Sequence, residues 1–155
     1  MEVSLSSKPC PCGSKKAFKD CCGLYIEHKK TAPNAEALMR SRYTAYTLSD
    51  EDYLLSTWHP STRPMNLGLA DRSSQQWQQL NILFTEQGQN MDSQGVVAFI
   101  ASYIENSVSQ HLCEKSRFEK INGCWFYLDG EMFAVSKNGP CPCDSGKKFK
   151  RCCGK

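Results

Sequence analysis

Arg117-Phe118-Glu119-Lys120-Ile121-Asn122-Gly123-Cys124-Trp125-Phe126-Tyr127 decides how this chain folds. Asn-Gly between two runs of alternating apolar character is the strongest short-range hairpin signal, because both central residues of a type I′ turn need positive φ. The dipeptide therefore predicts an antiparallel pair, Gln110 to Ile121 with Cys124 to Leu128. In a two-residue turn facing partners have numbers summing to 245, which sets Ile121 opposite Cys124, Phe118 opposite Tyr127 and Cys113 opposite Met132. Cys113 and Cys124 cannot then meet, and both read as small buried hydrophobes.

Upstream the strand pattern continues. Leu80, Ile82 and Phe84 alternate with Asn81 and Thr85, Gly88-Gln89-Asn90 breaks the run, and Gly95 to Ile104 carries apolar residues at both parities, as in a strand covered on both faces. Before Trp77 the period is helical. From Asn34, a capping residue, apolar side chains fall at Ala35, Leu38, Met39, Tyr43 and Tyr46, with Arg40 and Arg42 away from the centre of that face. Ser49-x-x-Asp52 resembles a capping box opening a second helix through Tyr53, Leu54 and Trp58 that Pro60 stops. Residues 61–74 read as loop with room for a short helix. Helices followed by strands predict an α+β domain in which a curved antiparallel sheet wraps two or three helices.

Both ends carry the same cassette. Pro9-Cys10-Pro11-Cys12 is followed after eight residues by Cys21-Cys22-Gly23, and Pro140-Cys141-Pro142-Cys143 after eight residues by Cys152-Cys153-Gly154. Two close pairs of soft sulfur ligands on a short loop suit a closed tetrahedral structural zinc. A module of some fifteen residues cannot bury enough apolar area to fold alone, so the metal must supply folding free energy, on the order of 10–16 kcal/mol. Phe18 and Phe149, three residues before each Cys-Cys pair, are placed to shield the sites. Disulfides fit poorly: Met1 to Lys8 is too short and polar for a signal peptide, and neighbouring Cα atoms about 3.8 Å apart are too close for an unstrained Cys21–Cys22 bridge. Two zinc ions and a reducing, cytoplasmic address are expected, held by Cys10, Cys12, Cys21 and Cys22 and by Cys141, Cys143, Cys152 and Cys153.

The cassette Cys-Pro-Cys-x-Ser through Cys-Cys-Gly resembles the SEC-C motif, named for the zinc-binding tail of the bacterial secretion ATPase. Two copies around Ala37-Leu38-Met39-Arg40-Ser41-Arg42-Tyr43 and Trp58-His59-Pro60 make the whole chain resemble the YchJ-like family of uncharacterised bacterial proteins. That resemblance implies zinc and a nuclear transport factor 2-like, cone-shaped middle domain, with no established reaction. The copies differ in one respect. The first reads Gly13-Ser14-Lys15 and the second Asp144-Ser145-Gly146, so the loop between the ligands is expected to differ in shape. The expected organisation is a knuckle over 1–23, the α+β domain over 24–136 and a second knuckle over 137–155. A knuckle at each terminus is expected to add little to a middle that folds by itself.

The chain holds 19 Lys and Arg against 16 Asp and Glu, a formal +3. Residues 24–136 have nine basic against thirteen acidic side chains, so the excess lies in the termini. Each zinc held by four thiolates adds two negative charges, taking the loaded protein to about −1. What survives is a basic C-terminal knuckle around Lys147, Lys148, Phe149, Lys150 and Arg151, which suits docking on a protein, in preference to RNA, as a binding or adaptor module. No run of about 18 apolar residues exists to span a membrane. The rival class is an enzyme or small-ligand binder using the open end of the cone, with Tyr43, Trp58, His59, His111 and Arg117 as pocket candidates and Tyr46 and Glu114 beside them. No triad, metal triplet or nucleotide loop accompanies them.

Overall fold

The computed structural model describes residues 4–155. A four-stranded antiparallel sheet in the order β1-β2-β3-β4 is built from β1 (Gln76–Gln87), β2 (Gln94–Glu105), β3 (Val108–Ile121) and β4 (Cys124–Met132). Three helices precede it: α1 (Gly23–Ile26), α2 (Ala35–Thr47) and α3 (Glu51–Ser56). Asn122 and Gly123 take φ of 51° and 81°, the turn their sequence demands. Asn106 and Ser107, at 51° and 63°, make a second two-residue turn between β2 and β3. Serine is rarely found in the left-handed region, which hid this turn from the sequence pattern.

The sheet is curved by irregularities in its ladders. Register shifts occur in the β1–β2 pairing between Trp77 and Gln79 and between Ile82 and Phe84, and in β3–β4 between Arg117 and Phe118. Extra residues of this kind bend a strand and raise its twist. The last one corrects the simple hairpin arithmetic. Phe118 faces Tyr127 and Ile121 faces Cys124 as expected, but Leu128 is inserted, so Met132 faces Glu114 rather than Cys113. Cys113 is buried, whereas Cys124 is exposed beside the turn and is no core residue.

Asn34 caps α2 by accepting the Ala37 N–H at 2.7 Å, and Leu38, Met39 and Tyr43 enter the core as the helical period requires. Arg42 departs from expectation. It is only 3 % exposed, because α3 folds back over it and Nη1 donates to the Leu54 carbonyl and to Thr57 Oγ1, both at 2.7 Å. Its guanidinium also lies 5.2 Å from the Trp58 ring and 4.6 Å from the Tyr127 ring. The cap of α3 is Asp50, accepting from the Tyr53 N–H at 3.0 Å, and not Ser49, which takes φ of 55° in the turn after α2. The helix ends at Ser56, before Trp58, which instead pairs with Tyr127 at the edge of β4.

Gly88 and Gly95 face each other where the β1–β2 hairpin meets α2. A Cβ on Gly95 would fall 2.4 Å from Gly88 Cα, and the Ala35 N–H donates to the Gly88 carbonyl at 2.9 Å. Strand β2 is covered on both faces, as its sequence predicts. Val97, Phe99 and Ala101 join Leu38, Tyr43, Leu54 and Phe118 in the main core, while Ile100 packs with Cys113, Cys141 and Phe149 on the outer face.

Candidate metal centres and central cavity

Each terminal cassette folds as a small loop closed by backbone pairing. In the first, Pro9 bridges Ala17, and the Cys10 N–H donates to the Lys16 carbonyl at 2.8 Å. In the second, Pro140 bridges Lys148 and the Cys141 N–H donates to the Lys147 carbonyl at the same distance. One turn of 3-10 helix, Phe18–Asp20 or Phe149–Arg151, then carries the Cys-Cys pair back to the Cys-Pro-Cys limb. The displaced glycine does not change the loop. Gly13 and Lys15 take φ of 81° and 69°, while Asp144 and Gly146 take 60° and 78°. Both copies thus need two left-handed residues and give glycine to only one of them, paying at the other a modest cost that closure of the loop over-determines.

In each cassette the four Sγ atoms lie within 4.8 Å of one another. Cys12 and Cys21 are 3.6 Å apart, Cys21 and Cys22 4.0 Å, and Cys143 and Cys152 3.4 Å. A tetrahedral thiolate site with metal–sulfur bonds of about 2.3 Å has edges of about 3.8 Å, so both sets fit a four-coordinate ion with no position left open. The close thiols also perturb one another. Cys12 is held far below the ordinary thiol range by hydrogen bonding with Cys10, whereas Cys22 is pushed far up by its neighbours Cys10 and Cys12. In the second set Cys143 falls to about 6, through hydrogen bonds from Ser145 and then Cys141. Sulfurs this close cannot all carry charge unless a cation sits among them. Ser14 and Ser145 hydroxyls, 3.1 Å and 3.2 Å from Cys21 and Cys152, are equivalent supporting contacts in the two copies.

The two centres are embedded differently. Cys10, Cys12, Phe18 and Cys22 belong to the main core, Cys10 Sγ lies 3.8 Å from Thr44 Oγ1, and Arg40 Nη1 donates to the Cys12 carbonyl at 2.9 Å. The first knuckle is therefore part of the middle domain's packing, contrary to the expectation of a dispensable terminus. Its last ligands run directly into α1. In the second centre only Cys141 is fully buried. It rests on the outer face of the sheet through Phe149, whose ring centroid is 5.1 Å from that of His111. Phe149 is 5 % exposed and offers no face to a partner, which corrects its grouping with the basic residues around it. Lys147, Lys148, Lys150 and Arg151 are exposed.

Between α2 and the concave face of the sheet lies a cavity of about 340 Å³. Tyr43, Tyr46, Trp58 and Glu114 line it, as expected of an open cone end. His59, His111 and Arg117 do not. His59 Nδ1 meets Ser61 Oγ at 2.7 Å and its Nε2 lies 3.8 Å from Glu119 Oε1, outside the cavity. His111 points to the opposite face of the sheet, bonded to Ser102 Oγ at 2.9 Å, and burial lowers its pKa. Arg117 is exposed and forked onto Asp129, with Nε donating to Oδ1 at 2.6 Å. The reason is strand parity: residues 111 and 117 fall on the face away from Leu112, Glu114 and Ser116, which line the cavity. Arg42, Arg72, Trp77 and Tyr127 also line it and carry no sequence signal of their own as cavity residues, except that Tyr127 is fixed opposite Phe118 by the hairpin.

Comparison with known proteins agrees with this architecture. A family model described as YchJ, middle NTF2-like domain, matches residues 34–130, and the SEC-C motif matches residues 7–24 and 138–155. The solution structure of a SEC-C motif containing protein from Rhodopseudomonas palustris superposes with a TM-score of 0.73 at 34 % identity, covering 82 % of this chain and 100 % of that one. The crystal structure of a SEC-C motif containing protein from Psychrobacter arcticus gives 0.69 at 29 % identity, covering 97 % of each chain. No helix among the described residues is long and apolar enough to cross a membrane.

Proposed function

Since the chain belongs to the YchJ family, with a nuclear transport factor 2-like middle domain between two SEC-C motifs, we propose that it is a zinc-binding adaptor of the reducing cytoplasm. Zinc is favoured because an all-cysteine tetrahedral set selects it over hard divalent ions, and a closed site serves structure rather than catalysis. Cys10, Cys12, Cys21 and Cys22 hold one ion, and Cys141, Cys143, Cys152 and Cys153 the other. The division into 1–23, 24–136 and 137–155 follows the ligand sets, the first knuckle being docked into the middle unit and the second laid upon it.

The observation that carries the adaptor reading is the outer surface of the second knuckle. Lys147, Lys148, Lys150 and Arg151 are all exposed, and none takes part in an ion pair among the described residues. A rigid, metal-stapled platform presenting unneutralised cations suits an acidic protein surface, which it would attract in a salt-dependent manner. RNA phosphate is the second candidate for the same charges. The test is capture from lysate by the intact zinc-loaded protein beside a variant with these four residues changed to Gln. The adaptor reading expects partners to be lost from the variant and from the intact protein at high salt, with zinc content unchanged. Partners that ignore both the substitutions and the salt contradict it.

A further inference from the structure

The central cavity holds a buried cation for which the described residues supply no direct ion-pair partner. Arg42 is 3 % exposed and lines the cavity, yet both hydrogen bonds donated by its guanidinium leave from Nη1, to a carbonyl and a hydroxyl. It takes part in no ion pair among the described residues. Burying an unpaired charge is expensive, and a guanidinium keeps its charge under all ordinary conditions. The one carboxylate lining the same cavity, Glu114, makes no direct ion pair with Arg42: its Oε1 accepts from Ser116 Oγ at 2.8 Å and from Tyr127 Oη at 2.9 Å. Arg72, exposed and in no ion pair among the described residues, adds a second cation to the lining. Two cations against one carboxylate leave the cavity at a net +1.

Much of the remaining wall is aromatic, beside Met39, Ala101 and Leu112. Trp77 sits 5.9 Å from Tyr43, 6.0 Å from Tyr46 and 5.0 Å from Tyr103 between ring centroids, and Trp58 lies across from them with its Nε1 buried and unpartnered. A volume of about 340 Å³ is at the small end for ligand sites, which run from about 300 to 1,000 Å³. From these features we propose that the cavity is a binding site for a small organic monocarboxylate with an apolar, preferably aromatic body. The carboxylate is drawn to Arg42, the body lies against Trp77 and its tyrosine neighbours, and Arg72 favours entry of anions. The excess of one positive charge selects a monoanion over a dianion or a cation.

The proposal is independent of the adaptor reading and is tested on the zinc-loaded full chain. Propionate, hexanoate and phenylacetate are titrated beside their neutral amides, with binding read by calorimetry and by the fluorescence of the cavity tryptophans. Phenylacetate is expected to bind tightest of the three acids and about tenfold or more tighter than phenylacetamide. Arg72→Gln should weaken the acid several-fold while leaving the amide unchanged. Leu112→Trp, which fills the cavity from its wall, should abolish binding without lowering the melting temperature. Arg42→Gln should abolish the preference for acid over amide, and because that change also removes the tie to Leu54, the Arg72 and Leu112 variants carry the test if it fails to fold. Equal affinity for acid and amide, no binding of any acid at millimolar concentration, or binding that survives Leu112→Trp overturns the proposal.

Discussion

Loss of the first metal centre should cost the whole protein far more than loss of the second. Cys10→Ser with Cys12→Ser removes two ligands of one site, and Cys141→Ser with Cys143→Ser removes their counterparts. In the first pair the released knuckle takes Phe18, 3 % exposed, out of the main core, a loss of about 2–3 kcal/mol for a phenyl side chain. It also breaks the Arg40 hydrogen bond to the Cys12 carbonyl, and bonds to charged groups contribute about 1.5–3 kcal/mol. The total is about 3.5–6 kcal/mol, which for a chain of this size lowers the melting temperature by about 10–20 °C. The second pair loses the packing of Phe149 on Ile100, Cys113 and His111, about 2–3 kcal/mol and so about 5–10 °C. Differential scanning calorimetry of the two variants beside the parent measures both. Melting temperatures unchanged in both variants, or a fall as large for the second pair as for the first, would refute the packing argument.

Other expectations follow from the same contacts. The two centres share no ligand, so each double Cys→Ser variant should retain one zinc per chain by elemental analysis, and loss of both ions from either variant contradicts independent sites. Gly95→Ala should lower stability by about 1–3 kcal/mol in urea unfolding, because its Cβ meets backbone at 2.4 Å that cannot swing away; a neutral result would show that the hairpin can shift. His111, whose pKa burial holds below its ordinary 6.5, is more readily protonated in the unfolded chain than in the folded one. Its contribution to stability is therefore complete above pH 6.5 and is lost progressively as pH falls below that value. Replacing it by Gln should flatten that part of the stability profile, and an identical profile in parent and variant would mean the ring is not desolvated by Phe149.

Several features could be read from single residues or short spacings. Asn122-Gly123 dictates its own turn, Asn34 its cap, and the repeated Cys-x-Cys and Cys-Cys pairs their convergence, because each depends on neighbours within a dozen positions. Apolar residues at both parities of β2 correctly required a cover on each face, though nothing in the sequence identified the second knuckle as the outer cover. Features that depend on distant segments escaped. Arg42 looked like a flank of its helix and is buried because α3 and Tyr127 close over it. The inserted Leu128 moves Cys113 off Met132, and a bulge has no composition of its own here. His111 and Arg117 lie on the face opposite Glu114 because period-2 alternation separates odd from even residues of β3, so that this part of the cavity is legible from strand parity alone.

The most direct test of two closed thiolate zinc centres is X-ray absorption at the zinc edge on the reduced, purified protein, with metal content measured on the same sample. Two zinc ions per chain, each surrounded by four sulfur scatterers at about 2.3 Å and by no lighter ligand, is the predicted result. One ion per chain, or a shell containing nitrogen or oxygen, would contradict the assignment of all eight cysteines.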